Sequence, residues 1–374
     1  TVYNHMYHPR AYAKPEDGGL MKEYEHLTQH VSMWNVSVER QICVKGPDAA
    51  DFVNLVITRD VHKKLPAGMA RYVILCNEKG GIINDPVLLR IAEDEFWFSI
   101  SDSDVVLWLQ GLNAGRKYNV EISEIDVAPV QIQGPKAKDM MVDIFGEEIL
   151  NIRYYGLMEA TLKSKDGSME MSVVISRTGF SGEIGFEVYL RDATLYADEF
   201  WERMLSAGEP HSIMVIAPSH IRRLEAGILS YGQDMDIETT PFEVGLDWQV
   251  DLEKSDYIGK EALAKLKEKG PEQMLVGIRL GGKPLTWYNE DFWIIADEND
   301  SDVGFVTSAF YSPSLDSNIA MGFVPVKYSE IGTRLKVRLP KDGTVDAEVV
   351  PKPFKDPNKE IPKSQLIANA KAAS

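Results

Sequence analysis

The sequence predicts an α+β fold of two or three domains, and three observations carry that prediction. At 374 residues the chain exceeds the size at which a single hydrophobic core stops growing. Up to Gly270-Pro271, strand-like apolar runs alternate with helical patterns, and the same order of signals occurs twice. From Leu275 to Val350 only short strands and turns follow, the pattern of a small antiparallel barrel or sandwich. The expected division is a duplicated region over 1–270, a barrel domain over 271–350 and a tail over 351–374.

Leu20, Tyr24, Leu27 and Val31 recur at helical spacing and predict a helix over 20–33. A strand over 41–45 runs into Gly46-Pro47. From Asp48 a helix begins whose Ala49, Phe52 and Val53 face inward, and proline suits a first helical turn, where a missing N–H costs nothing. Two apolar runs, 71–75 and 87–91, then flank the stretch from Cys76 to Pro86, in which Lys79-Gly80-Gly81 reads as a hairpin turn. Asp85 follows Ile82 and Ile83 and precedes Pro86, which withholds a backbone donor and biases Asp85 toward an extended conformation. Taken alone, this segment favours an edge-strand aspartate solvated beside a proline. A strand over 95–100 and a helix over 104–112 complete the unit.

The same grammar then returns. Val130-Gln131-Ile132-Gln133 runs into Gly134-Pro135 and a helical pattern through Met140 and Met141, echoing Val44 to Val53. A second strand-turn-strand spans 172–190, and alternation sets Glu187 on the face opposite Phe186 and Val188. A solvated strand face accounts for Glu187 taken alone. A helix over 194–205 follows. Two similar units packed about a pseudo-twofold axis would bring Asp85 and Glu187 toward one cavity, a candidate site. Beyond them come a helix over 221–226 ending at Gly227, a segment from Thr239 to Trp248 leading into a strand, and a charged amphipathic helix over 260–269. The Pro- and Lys-rich tail from Pro351 is expected to lie loosely on the surface.

Hydrophobic content of 44% with 26% charged residues is that of an ordinary globular protein. No apolar run approaches the roughly 18 residues of a membrane span, and residues 1–12 lack the apolar region of a signal peptide. A cytoplasmic location is therefore expected. A net charge of -17 argues against a nucleic-acid partner, whose phosphates need clustered Lys and Arg, and favours a cationic or zwitterionic small molecule. Cys43 and Cys76 lie in apolar surroundings without a C-x-x-C motif, and His26 and His30 share a helix face without a third ligand. Buried reduced thiols and no metal site are expected.

Several runs together resemble one family. They are Gly46-Pro47-Asp48-Ala49-Ala50, the stretch from Cys76 to Ile83, Ser176 to Glu183, Arg223-Leu224-Glu225-Ala226-Gly227, Tyr231 to Asp236, and Thr307-Ser308 with Ser312-Pro313. In this order, over nearly the whole chain, they resemble the glycine-cleavage T-protein family of tetrahydrofolate-dependent aminomethyltransferases. The resemblance implies a three-domain cloverleaf of antiparallel sheets with helices, two of its domains interleaved, around a central folate channel. It implies that Asp85 stands beside the reacting folate nitrogen as the catalytic residue. It also implies that Glu187 binds the pterin, whose amino group and ring N–H suit a carboxylate. Tyr72, Tyr155, Phe180 and Trp248 fall on channel-lining positions, with a plain core role open for each, most of all Trp248.

The departures from the family pattern bear on substrate. Asn84 replaces an aspartate, Ser219-His220 replace an Arg-Asp pair, and Ser101-Asp102-Ser103-Asp104 replace Asn-Ala-Ala-Asn. The run from Trp34 to Glu39 replaces Phe-Asp-Val-Ser-His-Met, and an expected arginine is missing around 283–287. These features are similar to the branch of the family that takes a methyl group from a sulfonium or methylated amine donor, above all dimethylsulfoniopropionate, and the residues alone leave sulfonium and ammonium donors unranked. A sulfonium is already a charged leaving group, so alignment in a desolvated pocket does most of the work. The implied cofactor is tetrahydrofolate as methyl acceptor, with no metal, flavin or nicotinamide and no carrier protein. No Gly-x-Gly-x-x-Gly follows a strand. Trp34 is expected to hold the cation by cation–π attraction, with Ser101 and Asp104 beside the donor. True aminomethyl transfer, folate binding without catalysis, and a homodimer stay open.

Overall fold

A computed structural model describes residues 1–366 of the chain. Its first lobe is a five-stranded antiparallel sheet in the order Glu121–Glu124, Gln41–Lys45, Glu95–Ser99, Val87–Ala92, Met69–Tyr72. Helices Ala49–Val56 and Val105–Arg116 cover one face over a core that includes Ile42, Val44, Phe52, Phe96, Phe98 and Leu109. The second lobe has six strands, ordered Leu157–Lys163, Glu170–Ser176, Gly185–Arg191, Val127–Gln133, Val31–Asn35, Ile213–Val215. Helices Ala137–Phe145 and Ala193–Gly208 cover its outer face. Because Val31–Asn35 joins the second sheet before the first is built, the two lobes are interleaved. The third lobe is a closed six-stranded barrel running from Gln273 to Val350.

The duplication is visible in the backbone. Gly46 and Gly134 each end a strand at positive φ, +141° and +120°, and each leads into the helix of its lobe. A Cβ would meet the Asn119 carbonyl oxygen at 2.5 Å in one and the His30 carbonyl oxygen at 2.3 Å in the other. Only glycine fits both places. The uncovered faces of the two sheets pack on each other through Cys43, Ala70, Leu89 and Trp97 against Val174 and Tyr189. Polar residues line the same two faces beyond this contact, and there the site forms.

Three local expectations change. The first helix is Gly19–Gln29, and Val31 starts a strand, because Val31, Ser32, Met33 and Trp34 are all buried as in a central strand with both faces covered. The segment at Trp248 is a single 3₁₀ turn, Asp247–Gln249, that leaves Trp248 57% exposed. The tail, as far as it is described, is not loose. The buried Arg177 donates to the carbonyls of Ile152, Pro362 and Ser364, the Lys355 amide donates to the Glu225 carbonyl, and Leu366 enters the second lobe's core. Proline-rich composition suggested disorder, but its carbonyls satisfy a guanidinium whose hydrogen bonds all go to main-chain oxygens. Cys43 and Cys76 are buried free thiols.

Several family-like runs converge on one buried network. Arg223 donates to Asp234 (2.5 Å) and to Ser308 Oγ (2.7 Å), while Thr307 and Ser308 each donate to the other Asp234 oxygen at 2.6 Å. Burial alone would raise the Asp234 carboxyl, but Arg223 and the two hydroxyls bring it below its usual value. Nearby, Glu225 accepts from Tyr24, Ser312 and Ser314. Helix His220–Glu225, the loop after it and the barrel are thus locked together. Asp234→Ala strands Arg223 in the interior, so it is expected to cost about 3–5 kcal/mol in denaturant unfolding. A loss under about 1 kcal/mol would show that the network does not hold the barrel.

Candidate active site

Asp85 lies where the hairpin breaks. Leu75–Cys76 pairs with Ile82–Asn84 as a short ribbon, whereas Met69–Tyr72 pairs with Val87–Ala92 in the main sheet. Asp85 and Pro86 make the step between the two ladders, so the carboxylate leaves the sheet and is buried, not solvated at an edge. Ser101 Oγ donates to it at 2.5 Å and Tyr72 Oη at 2.9 Å. Asn84, fully buried, holds the wall behind: its amide donates to the Ser101 carbonyl and Ser103 Oγ, and its oxygen accepts from the Ser101 amide. An aspartate at 84 could accept but not donate, so this loop geometry requires the amide.

Strand register builds the second half. Trp34, Gln131, Glu187 and Ser176 stand side by side across four strands of the second sheet, all buried. Glu187 accepts from Gln131 at 2.7 Å, from Tyr189 at 2.8 Å and from Thr178. Across the gap, the first sheet offers the row Gln41, Ser99, Val87, Tyr72. Ser99 Oγ donates to Glu39 (3.3 Å), and Glu39 is electrostatically coupled to both Glu187 and Asp85. Tyr155 stands at the seam. Its amide donates to the Arg177 carbonyl, its carbonyl accepts from the Ala70 amide, and its hydroxyl pKa is raised by burial, Tyr154 and Glu187. The two duplicated acids therefore belong to one desolvated cluster, with Glu39 between them.

That cluster is electrically unusual. Burial raises Asp85 to about 7, opposed by the Ser101 and Tyr72 hydroxyls. Burial also raises Glu187, and it raises Glu39 well above its usual value with Glu187 adding to the effect. All the side-chain donors to these three acids are neutral hydroxyls or amides. Three desolvated acids held by neutral donors form a site suited to positive charge.

The other expected residues are distributed unevenly. Phe180 is half-buried, its amide bonded to Gln131 and its ring packed with the cluster around Trp34. Trp34 itself is wholly enclosed by Leu27, Val36 and Ile216, with Phe180 and Met214 against it, and its indole N–H has no partner. Trp248 lies 6.5 Å from Tyr72, with Arg59 over its ring at 5.3 Å. Asp104 does not join the cluster; it is exposed and pairs with His5 at 3.2 Å. Glu39, Tyr3, Gln131, Thr178 and Tyr189 escaped the sequence reading. Gln131 and Gln133, alternating with Val130 and Ile132, were a readable polar face; Tyr3 and Glu39 carried no such signal.

Residues 1–254 match the family model of the GCVT N-terminal domain, and residues 273–356 match that of the glycine cleavage T-protein C-terminal barrel domain. The chain belongs to the glycine cleavage T-protein family. Among its relatives, dimethylsulfoniopropionate demethylase DmdA of Ruegeria pomeroyi is 35% identical over 91% of this chain and 89% of that protein. An aminomethyltransferase of Thermotoga maritima is also 35% identical, over 90% and 89%. The crystal structure of the glycine cleavage system aminomethyltransferase T of Bartonella henselae superposes with a TM-score of 0.76 at 26% identity, covering 90% of this chain and 89% of that one.

A pterin fits the T-protein site on one condition. A carboxylate has about four acceptor positions, and three at Glu187 are already used, two of them on Oε2. Thr178 has one hydroxyl proton and lies 2.8 Å from Ser176 Oγ as well, so turning that proton to Ser176 frees an Oε2 position for a parallel pair of donors.

A buried acid with a raised value makes folding pH-dependent. Asp85 titrates near 7 when folded and near 4 when unfolded, so stability falls as pH rises from about 4 to 7. Asp85→Asn is expected to be more stable than the parent at pH 8, by up to about 4 kcal/mol, and level with it at about pH 3, below both values. Equal shifts at both pH values would show that the Asp85 charge is not what destabilises the fold.

Proposed function

We propose that this T-protein family member is a tetrahydrofolate-dependent methyltransferase that demethylates a sulfonium, dimethylsulfoniopropionate or a close analogue. The observation that carries the reading is the cluster of Asp85, Glu39 and Glu187, desolvated and held only by neutral donors. An onium centre brings the positive charge such a cluster lacks, and the likeness to the Ruegeria pomeroyi demethylase agrees. Folate would supply the nucleophilic N5 that takes the methyl group.

Glu187 would orient the ring, and Tyr72 and Ser101 would hold the Asp85 carboxylate toward the accepting nitrogen. As the methyl–sulfur bond breaks, its electron pair stays on sulfur and the donor leaves as a neutral thioether. The positive charge passes to nitrogen, next to the Asp85 carboxylate, and the nitrogen's proton leaves to that carboxylate. A value of about 7 suits Asp85 to accept it and return it to water. Metal and redox steps have no part in this balance. Aminomethyl transfer within the glycine cleavage system is the second reading, favoured by the equal identity to the Thermotoga maritima enzyme.

Glu187→Gln puts a donor where the pterin also donates. Loss of a hydrogen bond to a charged group is worth about 1.5–3 kcal/mol, so folate affinity is expected to fall at least tenfold. Unchanged affinity by calorimetry would remove Glu187 from the folate site.

The reaction itself is checked with pure protein, tetrahydrofolate and methyl-labelled dimethylsulfoniopropionate, without carrier protein. The expected products are 5-methyltetrahydrofolate and 3-(methylthio)propionate in equal amounts, the methyl keeping all three hydrogens. Formation of 5,10-methylenetetrahydrofolate, and only with an aminomethylated lipoyl carrier, would instead establish the second reading.

A further inference from the structure

The N-terminal segment runs along one wall of the site. Asn4, buried, donates to the carbonyls of Val38 (2.8 Å) and Ser101 (3.1 Å), and its own amide donates to Asp102. This fastens Tyr3 beside Asp85, Glu39 and Ser101. Farther along, His8 meets the main chain at Asn35, and Arg10 lays its guanidinium 4.4 Å from the centre of the Tyr288 ring.

Around Tyr288 lies a cluster of different character. His220 packs 5.3 Å from the Tyr288 ring, and Trp287 stacks on it at 4.7 Å. These side chains come from two of the places where the sequence departs from the family pattern, Ser219-His220 and 283–287 with its neighbour Tyr288. Tyr288 is 6% exposed and its hydroxyl has no hydrogen-bond partner. Among the described residues, Arg10 forms no ion pair and no hydrogen bond, while the adjacent Arg223 is consumed by Asp234. Burial, with Arg223 and Arg10 nearby, pushes His220 down to about 3, so it is a neutral donor or acceptor and Arg10 carries the local positive charge. Next to Tyr288, Asn289 donates to the Thr307 carbonyl at 2.9 Å and Thr307 to Asp234 at 2.6 Å, and Asp234 acts electrostatically on both His220 and Asp85.

A free guanidinium stacked on an aromatic ring, beside a buried hydroxyl without a partner, has the chemistry of a carboxylate receptor. We infer that Arg10, with Tyr288 and His220, forms a subsite for the carboxylate of the methyl donor. The enzyme thereby selects donors that carry an acid group as well as a methylated cation. This rests on the methyltransferase reading for the word donor, but not for the site.

Calorimetry with 3-(methylthio)propionate, the neutral-sulfur acid, tests the subsite without turnover. Binding to the parent protein is expected, weakened at least tenfold in Arg10→Gln and partly restored in Arg10→Lys, with folate affinity and melting temperature unchanged. Kinetics then compare dimethylsulfoniopropionate with trimethylsulfonium, which has no carboxylate. Arg10→Gln is expected to raise KM for the first at least tenfold with kcat within twofold, and to leave kcat/KM for the second as it was. Failure of the parent to bind the acid, equal binding by parent and Arg10→Gln, or equal losses on both sulfoniums would overturn the subsite. Arg10-dependent binding without methyl transfer would retain the subsite and reject the methyltransferase reading. Methyl transfer indifferent to Arg10 would do the reverse.

Discussion

The buried pair of Arg223 and Asp234 is the constraint on which the site's geometry depends. It ties the helix before it to the barrel, and the loop it anchors also grips the hairpin that carries Asp85. Tyr231 Oη donates to the Ile82 carbonyl at 2.9 Å, and the Ile82 amide donates to the Thr239 carbonyl. Gly81 lies so close that a Cβ there would sit 1.9 Å from the Ile237 carbonyl oxygen. Glycine at 81 is thus a packing requirement between two loops as well as a turn signal. A carboxylate placed by a ribbon clamped on both sides loses little entropy when a ligand arrives, which is what in-line methyl transfer demands.

Holding that carboxylate in place has an energetic cost. Asp85, Glu187 and Glu39 all resist ionisation because burial removes water and neutral donors return only part of its effect. The rest of the molecule offsets this with well-packed apolar cores in each lobe and with buried cations bonded to protein oxygens, such as Arg177 on three carbonyls and Arg223 on Asp234. A bound cation would relieve the same repulsion, so stability and affinity are linked through these acids.

Much of the fold was legible because its signals are local. Gly46-Pro47 and Gly134-Pro135 marked the duplication because each strand must turn where a side chain would strike a carbonyl. Asp85 and Glu187 were legible because strand alternation and a following proline fix where a side chain points. Glu39 and Tyr3 were not, since each reaches the site through long-range placement of the N-terminal segment and of the strand Val31–Asn35. Trp34 shows the limit in the other direction. Its position in the row beside Glu187 follows from register, but its enclosure depends on Leu27 and Ile216, which arrive from separate elements. The tail misled because its prolines say nothing about a guanidinium waiting 185 residues earlier in the chain.

The residues that agree with the family and those that depart from it occupy different layers. Gly46 and Gly81 are places where a Cβ would strike a carbonyl, and Arg223, Glu225, Asp234, Thr307 and Ser308 are buried in hydrogen-bonded joints. Of the departures, Trp34 and Glu39 stand with the acids, Asn84 holds the Ser101 loop beside them, and His220 packs against Tyr288. Even there they are locally consistent: Asn84 must donate and accept at once, and Ser219 caps the helix that Arg222 and Arg223 need. A change of charge in that layer therefore has to keep such bonds: at Asn84 an amide can serve where a carboxylate cannot, because it both donates to and accepts from the Ser101 main chain. On the proposed reading, a few side chains of this layer would set the reaction on a frame shared by the family, and the joints would hold Asp85 in place.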